Sequence, residues 1–167
     1  MIILGVDPGS RHTGYGAIES DGRRHRLLEK GVLSPAPKHD LPQRLRFIHD
    51  RLAELIARLG PAAMAVEDVF YAQSVRSALV LGQVRGVVLL AAAQAGLDVH
   101  SFPPATVKLQ VTGQGQAEKA QVALMVSHLL ALPAQEAGDA SDALAVALCH
   151  AHCNGTLGAM LARVPAR

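Results

Sequence analysis

The sequence predicts a mixed α/β domain, a single five-stranded sheet flanked by helices on both faces. Three observations point there. The first thirty-odd residues form three short apolar runs separated by turn residues. Later apolar segments are long and repeat at helical spacing. Two further short apolar runs sit between those helical stretches, which is the alternation that builds a sheet with helices on it. A chain of 167 residues is within the size of one domain. The expected division is a single domain over residues 1–155 and a short C-terminal tail over 156–167.

In chain order, residues 1–6 read as a buried strand stopped by Pro8-Gly9. Residues 15–20 and 27–33 read as two more strands joined at Asp21-Gly22, giving an antiparallel meander in which the first strand sits centrally. Leu41, Leu45, Ile48, Leu52, Leu55, Ile56 and Leu59 recur at helical spacing after Asp40, a plausible cap, and before Gly60-Pro61. Residues 62–66 supply a buried strand running into Glu67. A long helix is expected over residues 73–95, with Ala, Val, Leu or Gly on nearly every side. Such a helix needs cover on more than one face. Either a second subunit supplies it, which makes a homodimer, or the helix is sandwiched within the monomer. Residues 98–102 read as a strand, and Pro103-Pro104 as a turn. Val122, Met125, Val126, Leu129 and Leu130 mark another helix, and a last one starts near Asp139.

Composition narrows the function classes. Half the residues are hydrophobic and 18% are charged, with no low-complexity tract or repeat, so a packed core is expected. The longest apolar stretch, residues 86–97, falls short of the ~20 residues of a membrane span. No secretory signal opens the chain. The only two cysteines, Cys149 and Cys153, lie in one expected helix, a poor disulfide arrangement that suits a reducing cytoplasm. The net charge of +2 is too small to identify a nucleic-acid partner by itself.

Four acids carry the chemistry. If the first strand and the 62–66 strand are parallel neighbours, Asp7 and Glu67 emerge at one sheet edge, where ligands bind in open α/β folds. Asp139 and Asp142 share a face in the first turn of the last helix. Together they could hold two divalent cations about 3.5–4 Å apart, a geometry that stabilises the attacking and leaving oxygens of a phosphoryl displacement. An oxygen-only ligand set suits hard cations such as Mg²⁺. Plainer readings exist for three of them: Asp7-Pro8-Gly9 as a turn, and Asp139 with Asp142 as helix-terminal acids. Glu67 has a weaker structural excuse, since an acid after Ala63-Met64-Ala65-Val66 needs a cation or solvent. Its neighbour Asp68 should point the other way and be solvated.

The order and wording of these motifs resemble the RuvC family of Holliday-junction resolvases. The matching residues are Ile3-Leu4-Gly5-Val6-Asp7-Pro8-Gly9-Ser10 with Thr13-Gly14-Tyr15-Gly16, and Glu67 with Val69-Phe70. They continue through Ser77-Ala78-Leu79, Leu81-Gly82-Gln83, Arg85-Gly86, Val107-Lys108, Ala117-Glu118-Lys119, Asp139-Ala140 and Asp142-Ala143-Leu144-Ala145. The resemblance implies a ribonuclease-H-like fold and a dimeric endonuclease that cuts two opposed strands of four-way junction DNA by metal-dependent hydrolysis, leaving ligatable nicks. It implies Asp7, Glu67, Asp139 and Asp142 as catalytic acids, Mg²⁺ as the metal with Mn²⁺ as a substitute, and the RuvA–RuvB branch-migration complex as a partner.

Five further residues become candidate DNA contacts. Lys119 sits in the first turn of its helix, where a cation is disfavoured unless a phosphate lies between; the plainer reading is a solvated lysine offset by Glu118. Lys108, after the Pro-Pro turn, reaches toward the same phosphate track. Phe70 and Tyr71 stand just past Glu67 in a chain with 3% aromatic residues, and either stack on unpaired bases or pack in the core. Arg76, on the first turn of the long helix, is the weaker candidate for a phosphate contact.

Two signals are set aside. Cys149-His150-Ala151-His152-Cys153 looks like a zinc cluster, but its four ligands do not converge from one helix. His150 stays as a candidate helper near the site. The glycines at positions 5, 9, 14 and 16 match no nucleotide-binding fingerprint, and are read as allowing a tight turn and close approach of the DNA backbone. Two other functions remain open: a ribonuclease-H-like nuclease acting on RNA, or a non-catalytic junction-binding module.

Overall fold

The computed structural model describes residues 1–68, 74–134 and 137–154. Its sheet contains β1 (Ile2–Asp7), β2 (Thr13–Ser20), β3 (His25–Leu33), β4 (Ala63–Glu67) and β5 (Asp98–Phe102). The strand order is β3-β2-β1-β4-β5, so β1 is central. The β1–β2–β3 meander is antiparallel, while β4 runs parallel to both β1 and β5. The helices are α1 (Leu41–Leu59), α2 (Val75–Gln94), α3 (Pro104–Thr112), α4 (Lys119–Leu129) and α5 (Asp139–Asn154).

Strand alternation divides the core into two layers. Leu4, Val6, Met64 and Val66 face α1 and α2, where they pack with Ile48, Leu52, Val84 and Val88. Ile3 and Ala65 face the opposite way, toward Val107 of α3, Val122 of α4, and Leu144 and Leu148 of α5. Asp7 follows Ile3 and Gly5 in this alternation, and Glu67 follows Ala65. Both acids are thereby aimed at the α5 side.

Local signals set the α1 boundaries. Asp40 accepts the Gln43 amide while the Gln43 side chain accepts the Asp40 amide, a reciprocal cap. Gly60 ends the helix at φ 56, a left-handed conformation that glycine adopts without a Cβ penalty. The segment after β5 corrects the reading of Pro103-Pro104 as a mere turn. Pro103 caps α3 and Pro104 opens it, where a missing amide costs nothing, and Gly113 at φ 78 closes it.

Helix α2 is long and apolar enough to cross a membrane by length and composition. Here it lays Val84, Val88, Ala91 and Ala92 against the sheet and α1. Its other face leaves Val75, Leu79 and Leu90 exposed, with Gly82 and Gly86 between them opening onto free space. No described residue of the monomer covers that face of the helix.

Three of the glycines serve helix packing rather than the close DNA approach expected of them, while Gly9 keeps the expected tight turn. A Cβ on Gly5 would overlap the Ala143 carbonyl of α5, one on Gly14 the Asp139 carbonyl, and one on Gly16 the Leu144 side chain. Gly5, Gly14 and Gly16 thus let α5 lie directly on β1 and β2. Gly9 instead abuts the His12 carbonyl inside the β1–β2 turn.

Candidate active site

The C-terminal ends of β1 and β4 bring Asp7 and Glu67 together. They lie one step beyond the paired Val6 and Val66, with their carboxyls close enough to act on one another's protonation. The turn after Asp7 does not use its carboxyl. Thr13 closes that turn instead, its hydroxyl donating to the Gly9 carbonyl at 2.6 Å and accepting the Gly9 amide at 3.3 Å.

Helix α5 delivers the other two acids because the glycines let it approach so closely. Asp142 joins Asp7 and Glu67 in a groove of about 330 Å³ whose wall also carries Lys108, Lys119, Pro104, Val107, Val122 and Ala145. Asp139 stands at the rim, over Gly14, close enough to Asp7 to act on its charge. Lys119 Nζ donates to Asp142 Oδ2 at 2.9 Å, so its partner is an acid of the site. Glu118, the offset expected for it, forms the α4 cap with Gln121.

Crowding of like charges away from water governs the site's protonation. Burial, then the charges of Glu67 and Asp142, push the Asp7 carboxyl up to about 8, with Asp139 adding to the effect. Burial and Asp142 also raise Glu67, against the opposing pull of the Asp7 hydrogen bond and of Lys119 and Lys108. The bond and charge of Asp142 hold Lys119 above the usual lysine range.

Among the described residues no three acids, histidines or cysteines stand close enough to cage an ion as they are. The Lys119 ammonium stands on Asp142, and burial favours the protonated form of Asp7, positive charges that a divalent cation would replace. The donor set is carboxylate oxygen throughout, which fits a hard cation.

Other expectations resolve as follows. Arg76 lies outside this groove and lines a separate one with Arg11 and Arg44. Phe70 and Tyr71 fall outside the described residues. Asp68 does point away from Glu67, but it is a paired acid rather than a bystander: half-buried, it accepts from Arg85 Nη2 at 2.7 Å, and the same nitrogen donates to Ser101 Oγ. His150 is not a helper near the acids. It is 1% exposed, eight residues along α5 from Asp142 (~12 Å at helical rise), and packs its ring 4.4 Å from His100 and 6.0 Å from Phe102. The zinc reading also fails to converge: Cys149 is buried with its thiol pushed up by burial, and His152 bonds the Gln110 carbonyl.

The sheet order, the α5 crossing and the acid cluster at the strand ends define a ribonuclease-H-like nuclease. The family model described as crossover junction endodeoxyribonuclease RuvC matches residues 3–150. A relative of that name from Citrifermentans bemidjiense is 51% identical over 155 residues, covering 93% of this chain and 94% of the relative. The solved structure of Thermus thermophilus RuvC in complex with Holliday junction substrate superposes with a TM-score of 0.86 at 38% identity, covering 91% of this chain and 93% of that one. A yeast mitochondrial Holliday junction resolvase shares the fold at a TM-score of 0.66 and 15% identity, over 90% of this chain and 77% of that one. The chain belongs to the RuvC family of endodeoxyribonucleases, hydrolases that act on DNA.

Proposed function

We propose that this chain is a Holliday-junction resolvase in which Asp7, Glu67 and Asp142 hold two divalent cations, Mg²⁺ by preference, with Asp139 orienting the shell from the rim. The convergence of Asp7 and Glu67 from parallel strands onto the first turn of α5 carries this reading. Bound there, the cations would offset the charge that develops on the attacking and leaving oxygens of phosphodiester hydrolysis. The chain's own residues do the rest. Lys108 and Lys119, on the groove wall, hold the non-bridging phosphate oxygens. Lys119 leaves Asp142 to do so, and Asp7 gives up its proton to become a full ligand. Phe70 and Tyr71, three and four positions past Glu67, are assigned to stacking on unpaired bases, and Arg76 to a phosphate.

Two symmetric cuts require two active sites related by a two-fold axis, so the working unit is a homodimer. Its support is the exposed stripe of α2: Val75, Leu79, Gly82, Gly86 and Leu90 follow helical spacing, and the two glycines allow a second helix to come close. By family resemblance the RuvA–RuvB motor is a partner, and the cytoplasm, where free Cys149 and Cys153 are stable, is the compartment.

Incubation of a synthetic four-way junction with and without Mg²⁺, with an RNA–DNA hybrid as competitor, tests the reading. Paired nicks in opposed DNA strands that need the metal and resist the competitor are expected. Metal-independent cutting, or preference for the hybrid, would remove it.

A further inference from the structure

A second groove lies at the same sheet edge, on the α1–α2 side. Its walls are Ser10 and Arg11 from the β1–β2 loop, Leu41 and Arg44 from the start of α1, and Arg76 and Ser77 from the start of α2. Arg11 and Arg44 also line the adjoining hollow with His12 and Pro35. Among the described residues no acid lines either opening, and none of the three guanidinium groups is paired with a carboxylate. The nearest acid in sequence, Asp40, is occupied in capping α1 at the Gln43 amide. Arg44 Nε donates to the His39 carbonyl at 2.8 Å, which fixes that side chain over the opening.

Three gathered guanidinium groups without a counter-charge repel one another, and the fold keeps them together at a place where two helices begin. The start of α2, capped by the neutral Ser74 and without an acid in its first turn, adds to the positive potential there. The groove, about 610 Å³, is open and large enough for a phosphodiester and its sugars. Arg11 is four residues past Asp7, so at most ~14 Å of chain separates this groove from the cutting site.

We propose that Arg11, Arg44 and Arg76 form a second phosphate-binding groove that holds the DNA backbone a few nucleotides from the bond the acids cut. This rests on the nuclease reading above and adds Arg11 and Arg44 to the substrate contacts. The strand then passes from Lys108 and Lys119, across Asp7, to the arginines. Both sides of the cut are held, which positions the scissile phosphate and carries no base preference.

The test measures binding of a four-way junction by Asp7→Asn protein across a salt series, so that cutting does not interfere. Adding Arg11→Gln and Arg44→Gln is expected to weaken binding at least about tenfold. It should also make the log-affinity against log-salt slope shallower by about two, roughly 0.9 per lost phosphate contact, equally for several junction sequences. The Arg11→Lys and Arg44→Lys pair should keep most of the slope. If Arg44→Gln lowers the melting temperature, Arg11→Gln alone serves, with a slope change of about one. An unchanged slope in a folded variant overturns the groove while leaving the nuclease reading intact. Failure of the Asp7→Asn protein to bind any junction overturns both.

Discussion

The carboxyls of Asp7 and Glu67 stand side by side at the ends of parallel strands, one step beyond the paired Val6 and Val66, where burial raises both above the usual carboxylate range. In water the pair would ionise independently. Half-buried beneath α5, it favours protonation, so metal binding and deprotonation are coupled.

That coupling sets a pH dependence for the metal-free protein. The folded carboxyl of Asp7 is raised toward about 8, so the native state binds the extra proton. Its stabilising effect is fully present below the unfolded aspartate range and is lost as pH rises through about 8. Chemical denaturation in EDTA should therefore show stability falling between about pH 5 and pH 8.5, and Asp7→Asn should flatten the fall and gain at least about 1 kcal/mol at the alkaline end. A wild-type profile that rises over this range would show that the pair is ionised in the apo state.

His150 predicts the opposite slope. Burial, with His100 adding to it, depresses its ring to about 4, so the unfolded state takes up a proton that the folded state refuses. This contribution is complete above the unfolded histidine range near 6.5 and is lost as pH falls toward about 4, roughly 2 kcal/mol by pH 5. The difference between wild type and His150→Leu, compared at pH 7.5 and pH 5, isolates it. An equal difference at both values would place His150 in solvent.

The ion pair of Lys119 with Asp142 separates stability from activity. The lysine end is 75% exposed, so the pair is worth under about 1 kcal/mol to the fold. Lys119→Gln should leave the melting temperature nearly unchanged while lowering single-turnover junction cleavage about ten- to a hundredfold, the value of a charge-assisted phosphate contact. Cleavage at the wild-type rate would confine Lys119 to the ion pair.

Close packing of α5 on the sheet makes Gly5 and Gly14 intolerant. Gly14→Ala forces its Cβ onto the Asp139 carbonyl and should cost at least about 2 kcal/mol, with loss of cleavage as the helix start moves. Gly138→Ala, where a Cβ meets open space, should change stability by less than about 0.5 kcal/mol. Thermal melts of the two variants decide it.

The exposed stripe of α2 gives the last expectation. Leu79→Glu with Leu90→Glu, both on the open face, should convert the proposed dimer to a monomer in sedimentation velocity and abolish paired nicking. A wild-type chain that sediments as a monomer while making paired cuts would remove the interface.

Much of this was legible in the chain because it rests on local chemistry. Asp40 with Gln43, Gly60, and the apolar strand leading to Glu67 each speak within a few residues. What was not legible depends on distant partners. The Asp68–Arg85 pair spans 17 positions, so Asp68 read as solvated. The glycines of β1 and β2 announce close approach, but only the fold shows that α5 fills the space. Helix α3 was obscured because Pro103-Pro104 signals a turn as readily as a helix start, although Gly113 and the Val107–Val111 spacing marked its extent. Arg11 and Arg44, 33 positions apart, carried no joint signal at all.

Single-turnover cleavage of a four-way junction by Glu67→Gln at saturating protein and Mg²⁺, with binding measured on the same samples, is the most direct test. Wild-type binding with no detectable paired nicking is the predicted result. Cutting at the wild-type rate would show that Glu67, and with it the acid cluster at the strand ends, is not where the hydrolysis takes place.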